Sequence, residues 1–103
     1  MISLAECELR LVKDILRRHI PGLEVWVFGS RTGTTHKKHS DLDLVLITNT
    51  DPVPAAIMAM LRDDFSESEL PFRVDILDWA EITDEFRRLI RRKYEVLQKP
   101  SAA

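Results

Sequence analysis

The run Leu42-Asp43-Leu44-Val45-Leu46-Ile47 constrains this chain more than any other segment. Apart from Asp43 it is wholly apolar and branched, the pattern of a strand buried on both faces. The lone carboxylate inside it needs a partner or a purpose, because burying an unpaired charge is costly. Asp41 stands two residues earlier. Strand residues alternate faces, so the two carboxylates project to the same side. Close like charges repel unless a cation joins them.

Around this strand the pattern alternates helix and strand. The spacing of Leu4, Leu11, Val12, Ile15 and Leu16 predicts a helix over 3–19, with Ser3 and Glu6 as a capping-box pair and Pro21-Gly22 as its stop. Glu24–Phe28 is β-rich and ends at Gly29. A polar segment, 29–40, leads into the 42–47 strand. Residues 54–65 form a second helix with Ile57, Met58, Leu61 and Phe65 inward. Phe72–Leu77 is a third strand. Thr83 caps a last helix whose buried stripe is Phe86, Leu89, Ile90 and Leu97, and which carries Tyr94, the only tyrosine. About three strands interleaved with helices imply an α/β or α+β layered domain.

Composition excludes several classes. The 103 residues suit one domain, 1–103. With 45% hydrophobic and 31% charged residues the chain is not a disordered one. A net charge of -2 offers no global field for long nucleic acid. One cysteine excludes an internal disulfide framework and fits a cytoplasmic compartment. No apolar stretch approaches the roughly 20 residues of a membrane span.

Two further segments complete the chemistry. Gly29 lets the chain turn tightly after its strand, and backbone N–H groups that follow can hold phosphate, helped by the Ser30 hydroxyl. Arg31 adds a planar cation suited to phosphate oxygens. In the third strand Arg73, Asp75 and Leu77 share a face, so Asp75 joins Asp41 and Asp43 if the two strands are neighbours. Three acids around one or two hard divalent ions suit phosphoryl or nucleotidyl transfer.

Phe28-Gly29-Ser30-Arg31, Ser40-Asp41-Leu42-Asp43-Leu44 and Val74-Asp75-Ile76-Leu77-Asp78 together resemble the minimal nucleotidyltransferase family of the DNA polymerase beta superfamily. The resemblance covers most of the chain. It implies a small mixed sheet flanked by helices and a Mg²⁺-dependent transfer, with ATP as substrate and two ions. It places Gly29, Ser30, Arg31 and Ser40 on the nucleotide, and Asp41, Asp43 and Asp75 on metal and in catalysis. It further implies the antitoxin half of a two-gene system, transferring AMP to a tyrosine of a helical HEPN toxin. The alternative is a non-enzymatic antitoxin or nucleotide-binding module that neutralises its partner by binding. The family often carries a second arginine after Gly-Ser-Arg; here Thr32-Gly33 follows, and Lys37 and Lys38 are the next cations.

Other readings of the same residues stand beside these. Asp41 and Asp43 can pair with Lys37, Lys38 or Arg73, and Asp75 with Arg73 or Arg31. Asp78 rivals Asp75 as third acid, although its position suits a cap on the turn at Trp79. His36 and His39 have no third ligand of matching type nearby. The cationic last helix, with Arg87, Arg88, Arg91, Arg92 and Lys93, reads as a solvated face or as a docking face for an acidic partner or RNA.

Overall fold

A computed structural model describes residues 2, 4–32 and 41–100. Helix α1 spans Glu6–His19 and strand β1 Glu24–Phe28, followed by a 3-10 turn at Gly29–Thr32. Strand β2 is Leu42–Ile47, helix α2 Ala55–Glu67 and strand β3 Val74–Asp78. A 3-10 turn at Trp79–Glu81 leads to α3, Asp84–Arg92, and to β4, Tyr94–Gln98. Among the described residues no helix is long and apolar enough to cross a membrane.

The sheet has four strands in the order β3-β2-β1-β4, one more than the sequence suggested. β1 runs antiparallel to both β2 and β4, and β2 parallel to β3. A parallel neighbour needs a crossover, and α2 is that crossover. β4 is the missed strand. Leu97 lies seven residues after Ile90 and so continued the apparent helical stripe, yet it belongs to β4. The helix ends at Arg92, and Tyr94-Glu95-Val96-Leu97-Gln98 takes the free edge of β1. Aromatic and β-branched residues favour that outcome where an unpaired edge is at hand. The Gln98 amide ties the strand's far end down, donating to the Ile20 and Leu23 carbonyls at 2.9 and 2.8 Å.

The helix ends are set locally. α1 begins after Ala5, not at Ser3, which lies outside the described residues. The Ala5 N–H donates to the Glu8 carboxylate at 2.9 Å, so Glu8 plays the part expected of Glu6. Thr83 caps α3 as its sequence predicts, accepting from the Phe86 N–H at 3.1 Å.

Strand alternation splits the sheet into two unlike faces. Val25, Val27, Leu42, Leu44, Leu46 and Ile76 turn toward α1 and α2, where Val12, Ile15, Leu16, Met58, Leu61 and Phe65 close over them. His19 on α1 bonds Asp64 on α2 at 2.5 Å. The opposite face has a small core of Val45, Trp79 and Ile90, with Trp26, Phe28 and Leu77 partly buried around it. Helix α3 is nine residues long and buries Ile90 alone, so it covers that face incompletely.

Candidate active site

The incompletely covered face carries the acids. Register places Phe28 opposite Asp43, and Asp43 opposite Asp75, in one row across β1, β2 and β3. Asp41 stands exposed just ahead of β2, and the next residue, Leu42, donates its N–H to the Arg73 carbonyl at 2.9 Å. That bond pins the acid-bearing start of β2 against the start of β3. Asp43 is held above its usual carboxylate range, first by burial and then by the charges of Asp75 and Asp41. The other two sequence-predicted acids therefore both act on Asp43.

Gly29 abuts this cluster. Its φ is +77°, a left-handed conformation that favours glycine, and a Cβ added there would lie 2.5 Å from Asp43 Oδ2. The glycine thus supplies both the turn after β1 and the room for the β2 carboxylate. The turn is closed by Thr32, whose hydroxyl donates to the Gly29 carbonyl at 2.7 Å. Ser30 is the second residue of that turn. Ser40, together with His36, Lys37, Lys38 and His39, lies outside the described residues.

Arg31, read from the sequence as a phosphate-suited cation on a polar segment, is buried. Only 3% of it is accessible, and its guanidinium lies 4.4 Å from the centre of the Phe72 ring. The turn is thereby packed onto the segment that leads into β3. Further cations reach the acids from other elements. A cleft of 830 Å³ beside Asp43 and Asp75 is lined by Arg62 and Ser66 of α2, by Arg73, and by Phe28 and Phe86. Arg73 Nε stands 3.5 Å from Asp75 Oδ1, one of the pairings open in the sequence. Sequence reasoning missed Arg62 and Ser66. They are one helical turn apart, and only the crossing of α2 behind β3 brings them to the site.

Asp78, the rival third acid, is accounted for otherwise. It faces away from the Asp43 row and is 4% exposed. Its carboxylate accepts from the Thr48 hydroxyl at 2.5 Å, the Val53 N–H at 2.7 Å and the Ala80 N–H at 3.0 Å. The last bond is the turn cap expected at Trp79. Tyr94 opens β4 opposite Phe28, rather than lying far off on a helix, and its ring stacks on Trp26 at 3.9 Å.

Among the described residues no three His, Cys, Asp or Glu side chains are grouped tightly enough to hold an ion as they stand. Hard carboxylate oxygens are nonetheless the donors that Mg²⁺ takes.

A mixed sheet that sets a strand-ending glycine turn against clustered carboxylates is the architecture of a nucleotidyltransferase. The chain belongs to the polymerase beta nucleotidyltransferase family, whose model matches residues 11–102. It is 47% identical over 92 residues to a probable protein adenylyltransferase, MntA, of Haemophilus influenzae, covering 89% of this chain and 80% of that protein. Its fold matches a toxin-antitoxin crystal structure with AMP-PNP at a TM-score of 0.73 and 21% identity, over 90% of this chain and 74% of the other. It also matches a Shewanella oneidensis complex of a tri-AMPylated HEPN toxin with its MNT antitoxin, at a TM-score of 0.68 and 19% identity, over 91% and 71%.

Proposed function

We infer that the chain is a Mg²⁺-dependent protein adenylyltransferase that moves AMP from ATP to a tyrosine hydroxyl of a helical HEPN toxin, acting as that toxin's antitoxin in the cytoplasm. The observation that carries this reading is the Asp43–Asp75 row across β2 and β3, with Asp43 against the left-handed Gly29 and Asp41 just ahead of β2. The identity to a probable adenylyltransferase supports the reaction class. The matched complexes, described as an AMPylated toxin with its antitoxin and as a toxin-antitoxin with AMP-PNP, support the partner and the nucleotide.

In this reading Gly29 and Ser30, in the turn at Gly29–Thr32, hold the triphosphate together with Ser40 from further along the chain, while Arg31 packs the turn onto Phe72. Asp41, Asp43 and Asp75 would hold the metal, which when bound neutralises phosphate charge and orients the α-phosphorus. The tyrosine oxygen forms a bond to that phosphorus as the bond to the pyrophosphate oxygen breaks. Asp75 takes the phenolic proton, and pyrophosphate leaves over Gly29 and Ser30. The raised proton affinity of Asp43 comes first from burial and then from the charges of Asp75 and Asp41, and a bound cation would offset the latter.

The test is ATP labelled at either the α- or the γ-phosphate, with Mg²⁺ and the cognate toxin. Label on the toxin from α-labelled ATP only is the expected result. Label from γ-labelled ATP, or none from either, contradicts it.

A further inference from the structure

The cleft beside Asp75 is more than the mouth of the acidic site. Arg62 and Ser66 reach it from α2, Arg73 from the lead into β3, and Phe28 and Phe86 form its apolar side. Arg62 is exposed and has no ion-pair partner among the described residues. Among the described residues Arg73 is paired with Asp75 alone, at 3.5 Å and largely in solvent. An exposed pair of that kind is weak. Once a divalent cation claims the carboxylates, both guanidiniums face the cleft uncompensated.

The strand order says which reactant meets them. Gly29 ends β1, Asp43 lies on β2 and Asp75 on β3, in that sequence across the sheet. Phosphoryl transfer proceeds with attacking and leaving oxygens roughly in line. If pyrophosphate leaves on the Gly29 side, the attacking hydroxyl enters from the Asp75 side, where Arg62 and Arg73 stand. An arginine pair with an aromatic wall fits a polypeptide carrying carboxylates beside an aromatic residue.

We propose that Arg62 and Arg73, with Phe86, form an acceptor-recognition cleft that selects a tyrosine flanked by acidic residues on the partner protein. The proposal rests on the adenylyl-transfer reading, and it assigns the two arginines to the acceptor and not to the nucleotide. They are positioning residues: they hold the acceptor segment, while Asp75 receives its proton.

The test uses the full chain, Mg²⁺, labelled ATP and two synthetic peptides with one central tyrosine, flanked by glutamates in one and by lysines in the other. The native chain is expected to label the acidic peptide at least about tenfold more efficiently, with the difference in KM. In the Arg62→Gln/Arg73→Gln protein that ratio falls toward one, while ATP affinity by calorimetry stays within about twofold. A Lys13→Gln/Arg17→Gln protein loses the same charge from α1, on the other face of the sheet, and keeps the ratio. Equal labelling of both peptides by the native chain overturns the cleft proposal alone, as does a large loss of ATP affinity in the double arginine variant. Labelling of neither peptide counts against adenylyl transfer itself and takes the cleft proposal with it.

Discussion

Asp78 and Asp75 are three residues apart on one strand, and they face opposite ways into opposite chemistry. On the α1–α2 side, Asp78 is buried, and three donors, two of them backbone N–H groups, meet its two oxygens. On the α3 side, Asp75 shares its row with Asp43, another carboxylate, and touches one solvent-exposed arginine. The first arrangement spends an acid on holding Thr48, Val53 and Ala80 together. The second leaves acids under mutual repulsion, a cost that folding alone does not require. A carboxylate with three donors marks structure; neighbouring carboxylates beside a left-handed glycine turn mark a candidate site for a charged ligand.

Substitutions at the two positions should separate the two roles, and the largest effect is on activity. Asp43→Asn is expected to cut adenylyl transfer by at least about a hundredfold while the fold survives, measured by labelled ATP and the partner toxin. The same change should not lower stability at neutral pH. Asp43 has its folded pKa above the ordinary 3.8, so the stability it confers is present below that pH and is lost as pH rises through the folded value. The native chain should therefore lose ground to the Asn variant across the weakly acidic range, as read from denaturant unfolding at several pH values.

Asp78→Ala should do the reverse. It strands two buried donors, the Thr48 hydroxyl and the Val53 N–H, and is expected to cost about 2 kcal/mol or more in chemical denaturation, with little change in turnover per folded molecule. Gly29→Ala falls in the acid-bearing region but should damage both activity and stability. A left-handed alanine costs about 1–2 kcal/mol, and the new Cβ pushes Asp43 from its place, so activity and melting temperature fall together. The smallest effect belongs to the incompletely covered face. Leu89 is 59% exposed, so Leu89→Ala should change stability by less than about 0.5 kcal/mol.

Much of this contrast was legible in the sequence. Strand alternation alone puts Asp41 with Asp43, and Arg73 with Asp75. The Leu42–Ile47 run announces a central strand, and the observed β2 has those same limits. Asp78 directly before Trp79-Ala80 reads as a turn cap. What escaped depends on tertiary placement. The edge of β1 recruited Tyr94–Gln98 into a strand that the seven-residue spacing of Ile90 and Leu97 disguised as helix. Burial of Arg31 under Phe72 joins residues 41 apart in the chain, and no local pattern reports it. Arg62 and Ser66 look like an ordinary polar face of α2 until its crossover sets them beside the acids.

The most direct test of the central claim is the intact mass of the cognate toxin after incubation with Mg-ATP and either the native chain or the Asp43→Asn variant. The account predicts that the native chain adds one or more adenylyl groups to the toxin and suppresses its activity, and that the variant binds the toxin without adding any. A toxin neutralised by the native chain in a stable complex with its mass unchanged would contradict it and leave binding alone as the antitoxin mechanism.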